Sequence, residues 1–228
     1  MGERPKTIMN KEKTVILKVL VGSRAHGLSN ANSDYDYRAV YVLPTSQMLS
    51  IGYRYKGNSH VEGIEDNTSY EIGHFLHLAT KCNPTILEVF KAPIIEANKD
   101  GKRLRKLFPY IWTPQQSFNA FVGYGLNQRK KFLNKKDNRQ DKYACAYIRT
   151  LWNLIELLES KDFSVDITKS RIFKDLVNFK TGNYNMGEVI NLSEMLTEIA
   201  QENLNNCSHE ADINKVNEFL LDIRRRYW

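Results

Sequence analysis

Apolar and polar positions divide this chain into two unlike halves. Thr14 to Val21, TVILKVLV, is short, rich in β-branched residues and stops at Gly22, which predicts a buried strand. Asp36 to Leu43, DYRAVYVL, predicts a second strand, closed by Pro44. From Thr45 to Asp66 the pattern lapses, and Gly52, Gly57, Asn58 and Gly63 mark it as loop. Thr68 to Glu71 predicts a third, short strand. It runs into a helix whose apolar face is Ile72, Phe75, Leu76 and Ala79. Asn83-Pro84 breaks that pattern, and ILEVF begins a new short element.

Beyond about Trp112 helical periodicity takes over. Thr113-Pro114 reads as a cap followed by proline at the first helical position, and Phe118, Phe121, Val122, Gly125 and Phe132 recur at helical spacing. A second helix, from about Lys142 to Ser160, carries Tyr147, Ile148, Leu151, Ile155 and Leu158 as its buried stripe. Further helices are expected over Ser170–Asn178, Gly187–Asn203 and Ala211–Arg226. The expectation is an α+β protein: a small α/β domain over 1–112, then an all-helical domain over 113–228. The basic segment GKRLRK, Gly101 to Lys106, is expected to link them.

Composition narrows the classes. With 228 residues the chain is long enough for a buried core. No apolar run approaches the roughly 20 residues that span a bilayer. The segment MGERPKTIMNKEKT lacks the apolar centre of a secretory signal, so a cytoplasmic protein without a membrane partner is expected. Cys82, Cys145 and Cys207 stand far apart in no metal-binding spacing, which fits buried thiols in a reducing compartment. The net charge of +7 fits a nucleic-acid or nucleotide partner and equally a solubilising surface.

The chemistry concentrates in VLVGSRAHGLSNANSDYDYRAVYVLP, Val19 to Pro44. Gly22 lets backbone amides approach a ligand closely, Ser23 adds a hydroxyl, and Arg24 offers a planar cation suited to phosphate oxygens. Asp34 and Asp36 are two apart, so on a strand both carboxylates project to one face. Two such carboxylates repel unless a cation joins them, and hard oxygen donors suit Mg²⁺ or Mn²⁺. The alternative is structural: Asp34 opens an Asx turn and Asp36 pairs with Arg38 or Arg54. Glu71, on the third predicted strand, is expected to complete a metal-binding, catalytic trio. Its own alternative is an acid placed to favour the first turn of a helix. Glu62, Glu65 and Asp66 are competitors within the expected loop.

A strand ending in Gly-Ser, then DYD opening another, then a later acid, resembles the DNA polymerase β-like nucleotidyltransferase superfamily. Within it, GSRAHGLSNANSDYDYRAVYVLP is similar to the RNA repair pathway DNA polymerase beta family. SYEIGHFLHLATKCNPTILEVF and KYACAYIRTLWNLIELLES extend the likeness from about residue 14 to 160. The resemblance implies a polymerase-β-like α/β domain with a mixed sheet and a helical C-terminal lobe. It implies two-metal transfer of a nucleoside monophosphate from an NTP to a hydroxyl. By position, Gly22 and Ser23 would hold the triphosphate, Asp34 and Asp36 would bridge the metals, and Glu71 would complete one of them. The acceptor implied is an RNA or tRNA end. Two other readings stay open: nucleotidylation of a protein or tRNA, as in toxin–antitoxin relatives, and a non-catalytic nucleotide- or RNA-binding module.

Other residues offer support. Lys142, Arg149 and Asn153 share one helical stripe, with small Ala146 between them, and are expected to reach a nucleotide or else to form a solvated face. His26 is expected to pack in the phosphate loop. His74 and His77, three apart, lack a third ligand. QRKKFLNKK, Gln128 to Lys136, and RRRYW, Arg224 to Trp228, fit either a polynucleotide backbone or a plain cationic surface.

Overall fold

The computed structural model describes residues 13–53, 58–61, 65–134 and 137–228. Arg54, Gly57, Glu62, Gly63, Lys135 and Lys136, and most of the polar N-terminal segment, lie outside the described residues. In chain order come β1 (Thr14–Val21), a single helical turn α1 (Gly22–Ala25), β2 (Tyr35–Val42), α2 (Thr45–Met48), β3 (Asn58–Val61) and β4 (Glu65–Glu71). They are followed by α3 (Ile72–Thr80), α4 (Pro84–Lys91), β5 (Ile94–Ala97) and α5 (Lys99–Arg105). After a short 3₁₀ turn (Phe108–Tyr110), the chain is helical: α6 (Pro114–Asn134), α7 (Gln140–Ser160), α8 (Phe173–Lys180), α9 (Met186–Asn206) and α10 (Ile213–Arg226).

The five strands form a mixed sheet in the order β3-β4-β2-β1-β5. Only β2 and β4 run parallel; the other pairs are antiparallel. The fold is α+β with a helical C-terminal part, as the sequence pattern predicts. Two expectations fail. The stretch 45–66 is not all loop, because it holds α2, β3 and the start of β4. Those elements are short and polar, so no periodicity announces them. GKRLRK is not a linker but most of α5. Asn98 caps that helix by accepting from the Asp100 and Gly101 amides at 2.9 and 3.0 Å, and Gly101 and Leu104 are buried. β5 was also missed; it is a four-residue edge strand whose two isoleucines stay exposed.

One continuous hydrophobic core runs from Leu17 and Val40 through Phe75, Phe90 and Trp112 to Phe121, Ile148, Leu196 and Ile223. All five residues of the expected α7 stripe are buried in it. The final helix belongs to the helical half by sequence yet is fastened to the α/β half. Arg226 Nη2 donates to Asp100 Oδ1 at 2.5 Å, Tyr227 Oη donates to Asp100 Oδ2 at 3.1 Å, and Arg103 pairs with Asp222 at 2.7 Å. The Thr45 amide donates to the Tyr227 carbonyl at 2.7 Å. RRRYW is therefore largely a docking segment, although Arg225, Arg226 and Trp228 are exposed. The cysteines are free thiols, and burial pushes the Cys145 thiol up to about 12. Among the described residues no helix is long and apolar enough to cross a membrane.

Gly101 lets α5 lie directly on β1: a Cβ there would sit 2.0 Å from the Ile16 carbonyl oxygen. Gly101→Ala is expected to destabilise the fold by about 1–3 kcal/mol through overpacking. Gly123→Ala, at an open helical position, is expected to stabilise by about 0.5–1 kcal/mol. Urea unfolding of both variants checks the contrast.

Candidate active site

The antiparallel register sets Val21 of β1 opposite Asp36 of β2, so the residue that follows β1 comes to rest against Asp36. That residue is Gly22, with φ at 71°. A Cβ added there would lie 2.0 Å from Asp36 Oδ2, so only glycine permits this approach of turn backbone to carboxylate. The turn is closed by the His26 amide donating to the Gly22 carbonyl at 3.1 Å and the Leu28 amide to the Ser23 carbonyl at 2.9 Å. Ser23 is partly exposed at its mouth.

Arg24 is engaged differently from expectation. Its Nε and Nη2 donate to the Ser33 carbonyl at 3.1 and 2.8 Å, and its guanidinium lies 3.9 Å from the Tyr35 ring centroid. It ties the far end of the loop back to the turn. The Asx turn belongs to Asn30, whose Oδ1 accepts from the Asn32 amide at 3.0 Å, and not to Asp34. Asp34 is exposed one residue ahead of β2, while Asp36 is partly buried within it.

Glu71 does not join them. In the parallel β2–β4 pair, Asp36 aligns with Asp66 and Tyr41 with Glu71, five positions further on. At about 3.3 Å per residue this is roughly 16 Å along the strand. Glu71 ends β4, caps α3 by accepting from the Gly73 amide at 2.7 Å, and faces Arg224 Nη1 at 2.6 Å. Gly73 makes room for this ion pair, since a Cβ there would meet Arg224 Nη2 at 2.9 Å. Glu71 thus stands apart from Asp34 and Asp36 and makes the contacts of the helix-terminus alternative. The position opposite Asp36 is occupied by Asp66.

His26 and Arg149 meet at a residue that the sequence pattern hides. Glu88 lies on α4 among the buried Ile86, Leu87, Val89 and Phe90. Its Oε1 accepts from His26 Nε2 at 2.6 Å, Arg38 Nη1 stands 3.5 Å from Oε2, and Arg149 Nη1 stands 3.9 Å from Oε1. Burial alone would raise the Glu88 carboxyl, but Arg149, His26 and Arg38 outweigh it and hold it far below the usual range. Burial is also the largest influence on His26, and with Arg149 it lowers the imidazole despite Glu88. His26 is therefore buried and hydrogen-bonded, in keeping with a packing role. A glutamate within ILEVF reads as one polar position on an amphipathic helix; only the three bases that converge on it reveal its state.

Lys142 sits exposed near the start of α7, two turns from Arg149, and is not drawn into this cluster. Asn153 is buried with its Oδ1 lacking a hydrogen bond. His74 stacks on Tyr70, and His77 is exposed. Of the basic segment on α6, Gln128 and Phe132 are buried and Arg129 faces Glu194 at 3.6 Å. Among the described residues no three His, Cys, Asp or Glu side chains are grouped to hold a metal. The donors that fit a hard cation are the Asp34–Asp36 pair at the Gly22 turn, with Asp66 at the matching register of β4. A cleft of about 810 Å³ lies elsewhere, between α4, β5 and the end of α7. Its lining carries four acids, Glu156, Glu159, Asp162 and Asp166, against two bases, Lys91 and Arg105, and Lys91 is paired with Asp162 at 2.6 Å, a poor wall for a polyphosphate, so the aspartate-bearing turn is the stronger candidate.

Comparison with known proteins identifies the family of the chain. A model of the RNA repair pathway DNA polymerase beta family matches residues 4–222, and the chain belongs to that family. The family's description points to a polymerase-β-like nucleotidyltransferase in RNA repair. The chain is also 29% identical over 145 residues to YcgL, an uncharacterised protein of Bacillus subtilis (strain 168). That match covers 59% of this chain and 56% of YcgL, so it spans little more than half of the relative's length.

The Glu71–Arg224 pair makes a stability prediction. Arg224→Met removes the cation facing a fully buried carboxylate and is expected to cost about 3 kcal/mol. Adding Glu71→Gln should recover much of that loss. Urea unfolding of the two single variants and the double variant measures the coupling, and strict additivity would show that the pair does not hold α10.

Proposed function

We propose that this protein transfers a nucleoside monophosphate from an NTP to a hydroxyl group, with an RNA or tRNA end as acceptor. The observation that carries the reading is the Gly22–Asp36 apposition, which sets a turn able to cradle phosphate against a carboxylate able to hold a metal. Gly22 and Ser23 receive the triphosphate. Asp34 and Asp36 hold Mg²⁺ or Mn²⁺, while Glu71 stands five positions away along the strand pair. Arg149 answers charge on the polyphosphate, and Lys142 lies at the outer rim.

When bound, the divalent cations supply charge neutralisation for both the entering and the leaving oxygen. The chain's own residues do the placing. The turn fixes the polyphosphate so that the acceptor oxygen attacks the α-phosphorus in line. The bond from that phosphorus to the α–β bridging oxygen breaks, pyrophosphate leaves, and the acceptor's proton passes to solvent water. The loop from Arg24 to Ser33, clamped at both ends, keeps turn and aspartates at a constant separation.

Incubation of the full chain with labelled NTPs, Mg²⁺ and separate RNA, tRNA and protein acceptors tests this reading. Asp34→Ala/Asp36→Ala is expected to lower transfer on the order of 10³-fold, the scale of losing preorganised charge stabilisation. Glu71→Gln should stay within a few-fold of wild type. A double variant that labels acceptors as well as wild type would sink the assignment. Labelling of protein alone would favour the nucleotidylation reading, and NTP binding without any transfer would favour a binding module.

A further inference from the structure

Glu88 is only 4% exposed, and an ionised carboxylate is costly there unless cations surround it. Three bases do so, each from a different element. His26 comes from the segment just after the Gly22-Ser23 turn, Arg38 from β2 two residues past Asp36, and Arg149 from α7. One carboxylate is thus the point where the phosphate turn, the aspartate strand and the helical half are tied together.

Arg38 and Arg149 both face the single Glu88 carboxylate, which is also hydrogen-bonded to His26. Arg38 is occupied, since its Nη1 donates to the Thr85 carbonyl. Arg149 is not. Its side chain is 11% exposed, it approaches Glu88 at 3.9 Å, beyond hydrogen-bond reach, and among the described residues no hydrogen bond engages its guanidinium. A largely buried guanidinium held by charge alone keeps its forked donors for an oxyanion.

We propose that Glu88 is a positioning residue of the nucleotide site: it registers the turn, the strand and α7, and holds Arg149 with its donors available to the polyphosphate of an NTP. This inference rests on the nucleotidyltransferase reading. Glu88 itself touches no substrate; it acts through Arg149 and His26.

Calorimetric titration of the full chain with a non-hydrolysable NTP, with inorganic tripolyphosphate and with AMP tests it, alongside thermal unfolding of each variant. Glu88→Gln and Arg149→Met are each expected to weaken NTP and tripolyphosphate about 10- to 100-fold while leaving AMP nearly unchanged. The double variant should bind no more weakly than Arg149→Met alone, because the two residues act as one unit. A purely structural Glu88 would instead weaken all three ligands alike, or add its loss to that of Arg149→Met, and either result overturns the inference. If Glu88→Gln does not fold, Glu88→Asp keeps the charge but shortens its reach; a several-fold loss for tripolyphosphate is expected, and unchanged affinity overturns the inference. Failure of wild type to bind NTP or tripolyphosphate would overturn the transferase reading together with it. Normal wild-type binding that Glu88→Gln leaves intact would overturn only the role of Glu88.

Discussion

The antiparallel register of β1 and β2 is the constraint on which the candidate site depends. It sets Val21 opposite Asp36, so the chain must turn immediately beside a carboxylate. The left-handed backbone at Gly22 and the 2.0 Å clearance that any Cβ would violate are direct consequences. The loop to Asp34 is then short enough for Arg24 to span, with its donors on the Ser33 carbonyl and its face on Tyr35. Displacing β2 by one residue would turn Asp36 to the other face of the sheet and dismantle the arrangement.

The acids of this chain divide by environment. Glu71, Glu88 and Asp100 are buried and each faces arginine: Glu71 meets Arg224, Glu88 meets Arg38 and Arg149, and Asp100 meets Arg103 and Arg226. Every one of these clusters joins elements distant in sequence. Such buried pairs add less net stability than apolar packing would, but they penalise wrong arrangements strongly. Asp34 is exposed ahead of β2, and Asp36 is partly buried beside the Gly22 turn. The fully buried acids organise the frame.

Much of this was legible in the sequence, for identifiable reasons. The bounds of β1 and the stripe of α7 follow from long, regular apolar spacing, which tertiary context did not override. The segment 45–66 was unreadable because α2 and β3 are four residues each and present no repeating apolar face. Glu71 misled for a different reason. Its position beside Tyr70 and Ile72 implied a strand near the aspartates, and β4 is indeed paired with β2. The parallel alignment then carries Glu71 to the opposite end, and no local pattern encodes that alignment. Glu88 escaped notice because burial of a charge depends on partners 50 and 62 residues away.

Anomalous scattering from Mn²⁺ in crystals of the full chain grown with a non-hydrolysable NTP tests the central claim most directly. The account predicts metal within about 2.1 Å of carboxylate oxygens of Asp34 and Asp36, with the polyphosphate along Gly22-Ser23 and Arg149. Metal bound at Glu71, or nucleotide seated in the cleft beside Lys91 and Arg105, would contradict it.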